Sequence, residues 1–129
     1  MATLKDYTTI CNSAPSEFLA EVGLRNRQKL VDRNLAIIKN NLAIVDDFIS
    51  RHSSLFTWIR PQAGSMGFPK LLQGDIEDFC DDLVKKTDVL LLPGTMCDDT
   101  GNHFRLGLGR KNLPQAVERV EKYLDVRYK

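Results

Sequence analysis

Arg105 is the side chain whose type and setting point most directly to chemistry. It sits in His103-Phe104-Arg105-Leu106-Gly107-Leu108, where strand alternation sends it to the opposite face from Phe104 and Leu106. A guanidinium is a planar fork suited to two-point binding of a carboxylate or phosphate. Each charge-assisted bond of that kind contributes ~1.5–3 kcal/mol. The same pattern also suits a plain surface arginine.

Other candidates are weaker. Gly107-Leu108-Gly109-Arg110-Lys111 lacks the spacing of a phosphate-cradling loop and reads as a turn into a helix capped by Asn112. Cys97, Asp98, Asp99 and His103 match no structural zinc spacing, so no metal site is expected. Cys80 falls on the apolar face of a helix and reads as core. His52 stands at a helix end, where it complements the dipole. Asp46 and Asp47 are adjacent, so on a helix they face different directions and do not form an acid–base pair. No spacing argues for a Ser/His/Asp or Cys/His nucleophile.

The elements that must position Arg105 follow from periodicity. Ser13, Pro15 and Glu17 supply helix-start chemistry, which predicts a short helix to Val22 with a bend at Gly23. Neither Gly nor Pro occurs between Leu24 and His52. Val31, Leu35, Ile38, Leu42, Val45 and Ile49 form one helical seam there, with Ile37, Ile44 and Phe48 beside it. Such a helix is roughly 40 Å long at ~1.5 Å per residue. A compact chain of 129 residues has a radius of gyration of only ~14 Å. The helix therefore reaches another domain or chain, or it breaks near Asn40-Asn41.

Beyond His52 the period changes. Leu55 to Ile59 reads as a strand stopped by Pro61, and Gly64 to Phe68 as a turning stretch leading to an edge strand up to Leu72. Asp75 to Lys86 is a helix with acidic first turns, a basic last turn and an apolar face of Ile76, Phe79, Cys80, Leu83 and Val84. Val89 to Leu92 reads as a buried strand closed by Pro93-Gly94. A strand from His103 to Leu108 and a helix facing inward through Leu113, Ala116, Val117, Val120 and Leu124 complete the chain. Strands come in neighbouring pairs, which predicts an α+β layer. A small, mainly antiparallel sheet carries helices on one face and is preceded by the long helix.

Composition narrows the classes. Lys and Arg total 18 against 17 Asp and Glu, and 43% of residues are hydrophobic. That supports a core and argues against disorder and against a general nucleic-acid binder. Apolar runs are too short to span a bilayer. Three cysteines without a CxxC pair suit a reducing, cytoplasmic setting. Asp75 to Asp99 carries eight acidic residues against two lysines, whereas Arg105 to Lys129 carries seven basic residues against three acidic ones. Two oppositely charged faces that attract each other are the expectation.

Several segments, taken in order, resemble one family. Trp58-Ile59-Arg60-Pro61-Gln62-Ala63-Gly64-Ser65-Met66-Gly67-Phe68 is similar to the segment that begins the small domain of the class I/II aminotransferases. Val89-Leu90-Leu91-Leu92-Pro93-Gly94-Thr95 resembles their valine-rich strand ending in Pro-Gly. His103-Phe104-Arg105-Leu106-Gly107-Leu108-Gly109 resembles their Phe/Tyr-Arg-Leu strand. The long helix is similar to their interdomain helix. Tyr7-Thr8-Thr9-Ile10 and Ser13-Ala14-Pro15-Ser16 resemble the end of their large domain. On this resemblance, residues 1–29 are a remnant of the large domain's end, and residues 30–129 are the long helix plus the C-terminal small domain.

The resemblance implies fold type I and chemistry that depends on pyridoxal 5′-phosphate. It implies that Arg105 binds the α-carboxylate of an amino acid or keto acid substrate. It further implies that Asn12, Ser13, Gly64, Ser65 and Met66 line the site. Ser65-Met66 departs from the usual Gly-rich form, which leaves side-chain specificity open. The family's Schiff-base lysine precedes the matched segment, and Lys5 lies past its position. The expected picture is a chain without its own catalytic lysine, without bound cofactor and inactive alone, whose partner is the absent large domain. Its exposed apolar helix face would self-associate. Two readings stand beside it: a non-catalytic oligomerisation or interaction module built on the helix seam, and an acidic-ligand binder using Arg105 with the basic C-terminal helix.

Overall fold

The computed structural model describes Thr3, Tyr7, Thr8 and residues 13–128. Contacts divide the chain into two units, Met1–Leu35 and Ala36–Lys129, each taken by itself below.

In the first unit, helix α1 spans Ala14–Arg25. Ser13 holds the N-cap position in extended conformation, yet its hydroxyl makes no capping bond. The helix passes through Gly23, the expected bend, and ends at Asn26. A mid-helix glycine costs only about 1 kcal/mol relative to alanine. Asn26, in contrast, returns both its backbone N–H (3.1 Å) and its Nδ2 (2.9 Å) to the Val22 carbonyl. Its own carbonyl then accepts the Leu30 N–H at 3.2 Å. The turn is therefore set by a side chain that competes for backbone rather than by backbone freedom. α1 buries no residue. Phe18, Leu19, Leu24, Leu30 and Val31 are all exposed.

Helix α2 spans Arg27–Arg51 without a break at Asn40-Asn41. Within the second unit it contributes Val45, Phe48 and Ile49 to the core, with Ile38, Leu42 and Ile44 packed against it. The predicted seam is thus used from Ile38 onward, while Val31 and Leu35 in the first unit stay exposed.

The strands of the second unit are short. β1 (Phe56–Thr57) pairs antiparallel with β3 (Lys70–Leu71), in the register Phe56↔Leu71 and Thr57↔Lys70. A three-stranded antiparallel sheet has β5 (Phe104–Gly107) between β2 (Met66–Gly67) and β4 (Leu92–Pro93). A bridge between Lys70 and His103 links the two sheets. The expected edge strand before Leu72 is divided in two at Phe68-Pro69.

The expected strand Val89–Leu92 forms only at its end. α3 (Ile76–Thr87) finishes in a left-handed residue, Asp88, at φ 58°. The Val89 N–H then turns to Thr87 Oγ1 at 3.2 Å. The chain reaches β5 only at Leu92, leaving Leu90 76% exposed. At the other end of α3, Asp75, expected within the helix, stands just before it as the N-cap and accepts the Glu77 and Asp78 N–H groups at 2.8 and 3.1 Å, satisfying two of the free amides. α4 spans Leu113–Arg127; Asn112 holds its N-cap position without a side-chain capping bond.

One cluster forms the core of the second unit. Ile76, Phe79, Cys80 and Leu83 of α3 and Leu113, Val120, Tyr123 and Leu124 of α4 meet the buried strand face of Phe56, Leu71 and Phe104. The Phe56 ring lies 5.6 Å from Phe48 and 5.8 Å from both Phe79 and Phe104. Tyr123, absent from the predicted inward face, is buried because its hydroxyl reaches Asp82 Oδ2 at 2.6 Å. Arg127 Nη1 contacts the same oxygen at 2.9 Å and Lys86 holds Oδ1 at 2.9 Å. The opposite charges of the two segments thus meet at one α3–α4 clamp.

Candidate functional site

Strand β5 presents Phe104, 3% exposed, to the core and Arg105 to the other side. Leu92 is paired with Arg105 across β4, and Met66 with Gly107 across β2. Directly opposed residues share a face of a sheet, so Leu92, Arg105 and Met66 form one outward row. Arg105 Nη2 lies 3.9 Å from Met66 Sδ. Arg25, Arg51, Arg60 and Arg127 each hold a carboxylate. Among the described residues, no carboxylate comes within ion-pair distance of Arg105. It is a strand-mounted cation whose backbone is held between ladders on both sides.

Gly64 adopts φ 83° two residues before β2, a left-handed conformation that favours glycine. Ser65 follows and accepts the Leu108 N–H at 2.8 Å through its carbonyl. Gly64, Ser65 and Met66 are therefore held beside the strand that carries Arg105. Gly67 sits close under an aromatic ring: a Cβ there would stand 2.8 Å from Trp58 Cζ3. Ser13 lies in the first unit, and Asn12, Lys5 and Cys11 lie outside the described residues.

Two asparagines set this geometry, Asn41, expected only as a helix break, and Asn102, expected only as part of a polar loop. Asn41 is 2% exposed, and its Nδ2 donates to the carbonyls of Leu108 (2.8 Å) and Arg110 (2.7 Å). It pins the end of β5 and the turn after it. The available signal was an amide in a row of apolar positions on a long helix. Asn102, at φ 64°, donates to Leu71 O (2.9 Å) and Gly74 O (3.0 Å) and accepts the Ile76 N–H at 3.0 Å. It ties β3, the start of α3 and the lead-in to β5 together.

The acidic loop before β5 holds an internal pair. His103 Nδ1 is 2.8 Å from Asp99 Oδ2, and that bond holds the Asp99 carboxyl below the usual carboxylate range. The His103 ring stacks on Phe68 at 5.2 Å. Among the described residues, no group of three or more His, Cys, Asp or Glu side chains is placed to hold a metal ion. His52 Nδ1 meets the Phe48 carbonyl at 3.0 Å at the end of α2. Cys80 is buried, which pushes its thiol up to about 11. No helix among the described residues is long and apolar enough to cross a membrane.

No family model matches the sequence, and no curated protein matches it. Solved structures do. A pyridoxal-phosphate-dependent aminotransferase from Streptococcus suis is 31% identical over 96% of this chain and 33% of its own, with a TM-score of 0.82. The pyridoxal-phosphate-dependent cyclase OrfR is 27% identical over 97% of this chain and 35% of its own, also at 0.82. An aspartate aminotransferase from Thermotoga maritima, 21% identical over 95% of this chain and 32% of its own, shares the fold at a TM-score of 0.75. This chain spans about a third of the length of the structures it matches. It resembles the C-terminal part of a class I/II pyridoxal-phosphate-dependent aminotransferase of fold type I.

Pyridoxal phosphate makes a specific demand on a chain's lysines. Covalent attachment requires a lysine desolvated enough to act as a nucleophile. Among the described residues Lys29, Lys39, Lys85, Lys86, Lys111 and Lys122 are exposed and Lys70 is half-buried. Lys85, Lys86 and Lys122 are also committed to Asp81, Asp82 and Glu118. None of these lysines has the desolvated setting that covalent attachment requires.

Proposed function

We propose that this chain, a likeness of the C-terminal part of an aminotransferase, supplies the substrate-orienting half of a transamination site rather than its reacting half. Arg105 grips the α-carboxylate of an amino acid or keto acid. The row Leu92–Arg105–Met66 flanks the grip, and Gly64 and Ser65 border it. The single observation that supports the reading is the Arg105 fork, mounted on a laddered strand and facing no carboxylate among the described residues. Two charge-assisted bonds of ~1.5–3 kcal/mol each hold the substrate in one orientation, so a reacting group brought from elsewhere meets it aligned. Pyridoxal phosphate and the lysine that binds it belong, on this proposal, to a large domain outside this chain. The exposed face of α1 is where that domain packs.

The test is a chimera in which this chain replaces the corresponding third of the Streptococcus suis enzyme. Transamination is expected from the chimera. Arg105→Met should lower kcat/KM by roughly 10²–10⁴-fold, the equivalent of the two lost bonds, and Arg105→Lys should recover part. An active chimera indifferent to Arg105→Met would refute the role. Turnover with visible cofactor absorbance in the purified chain alone would refute the division of labour.

A second reading is favoured by one feature, the exposed Phe18, Leu19 and Leu24 of α1. An interaction module would use them to pair two copies, because large uncovered apolar patches drive association. Light scattering with Phe18→Asp decides it. Dimers abolished by that change, in a chain whose chimera is inactive, would favour the module.

A further inference from the structure

We propose that Met66 is an oxidation site whose sulfoxide takes hold of Arg105 and so regulates the carboxylate grip, a consequence that rests on Arg105 being the substrate's anchor. The register sets Met66 opposite Gly107, on the face that carries Arg105. Gly107 has no side chain, and a Cβ there would stand 4.0 Å from Met66 Sδ. The thioether therefore lies across the glycine and reaches along β5 to Arg105, whose Nη2 is 3.9 Å away. Its backbone is fixed by the ladder to β5 and by the Leu108 N–H, which donates to the neighbouring Ser65 carbonyl at 2.8 Å. Met66 is 38% exposed, so a small oxidant reaches the sulfur.

The chemistry is a two-electron transfer from sulfur to a hydroperoxide. A sulfur lone pair attacks the outer peroxide oxygen, and the S–O bond forms as the O–O bond breaks. The proton of the transferred hydroxyl passes to the leaving oxygen, which departs as water or an alcohol. Reductases reverse the step. Beside a guanidinium the product differs from the thioether in one decisive respect: a weakly accepting sulfur gains a polar acceptor oxygen. Carried on the Arg105 side of a sulfur 3.9 Å from Nη2, that oxygen comes within the ~2.7–3.2 Å of an N–H···O bond. It then occupies part of the donor edge that a two-point carboxylate needs. Met96 is 71% exposed on the turn Gly94–Cys97. Among the described residues, no donor side chain meets its sulfur, so its oxidation leaves Arg105 untouched.

The experiment treats the full chain with hydrogen peroxide and locates the added oxygen by peptide mass mapping. It then measures how fast phenylglyoxal, a guanidine-specific dicarbonyl, modifies Arg105 and Arg110. Oxidation at Met66 should slow Arg105 about tenfold or more, as one bond to a charged donor requires, and leave Arg110 unchanged. Methionine sulfoxide reductases of both epimer specificities should restore the rate. Met66→Leu, a volume-conserving change, should make Arg105 indifferent to peroxide. Met66→Gln, whose amide oxygen stands in for the sulfoxide, should slow Arg105 without any oxidant. The proposal is overturned by an Arg105 rate that oxidation of Met66 leaves unchanged, by equal slowing in the Met66→Leu chain, or by equal slowing at Arg110. It is also overturned if Met66 stays unoxidised while Met96 is fully converted. Phenylglyoxal reads the guanidinium whether or not substrate binds. Failure here is therefore distinct from an active chimera indifferent to Arg105→Met, which would refute the grip alone.

Discussion

Replacing Asn41 with alanine tests whether one buried amide holds the strand that carries Arg105. Asn41 is 2% exposed and Leu108 is fully buried. The change deletes bonds of 2.8 Å to Leu108 O and 2.7 Å to Arg110 O. Each bond is worth about 1 kcal/mol net, and a buried carbonyl left without a donor costs a further ~1–3 kcal/mol. Arg110 is exposed, so water replaces its lost partner; Leu108 has no such recourse. The expected loss is about 2–4 kcal/mol, a large share of the ~5–15 kcal/mol available to a domain. With a urea slope of ~2 kcal/mol per molar, the midpoint should fall by about 1–2 M in melts followed by circular dichroism and by fluorescence of the one tryptophan. Asn41→Asp sharpens the reasoning. It aims a carboxylate at two carbonyl oxygens and should destabilise more than alanine at neutral pH, with the excess shrinking on acidification as the acid regains a donor. A loss below ~1 kcal/mol for Asn41→Ala, or an aspartate variant as stable as alanine at pH 7, would refute the account.

The α3–α4 clamp predicts two limbs of pH dependence. The Tyr123 hydroxyl, then Lys86, hold the Asp82 carboxyl below its ordinary value, so its contribution is complete above about pH 4 and fades as pH falls through the depressed value. Asp82→Asn should flatten that acid limb in urea melts at stepped pH. Burial first, then the Asp82 bond, push the Tyr123 phenol up to about 12. The folded chain therefore holds a proton that the unfolded chain releases, and stability should decline as pH rises from about 10 toward 12. In an ultraviolet titration one of the three tyrosines should ionise late, and Tyr123→Phe should remove that step. Gly67→Ala places a Cβ 2.8 Å from Trp58 Cζ3. It should cost about 1–3 kcal/mol as overpacking and shift the Trp58 emission; an unchanged spectrum would mean that the ring is not seated there.

Much of the molecule can be read from local chemistry. The acidic first turn and apolar face of α3 and the inward row of α4 follow from which residues can satisfy free amides or bury carbon within one or two turns. The alternation that turns Arg105 away from Phe104 needs only the strand's period of two. The antiparallel pairing of β4 with β5, consecutive along the chain, likewise follows from their order. These properties depend on residues a few positions apart, so a one-dimensional reading reaches them.

Other features depend on partners far along the chain. Whether Asn41 breaks its helix or locks it depended on carbonyls 67 and 69 residues away. Tyr123 keeps its hydroxyl satisfied while buried through Asp82, 41 residues earlier. Val89 to Leu91, apolar enough for a strand, stays unpaired because Asp88 turns the chain before the ladder can extend. The sequence by itself determined which side of β5 carries the cation. Only the tertiary structure left that cation without a carboxylate among the described residues, beside Met66 Sδ. Periodicity specifies directions, while the pairing of charges and the filling of space require every neighbour in three dimensions.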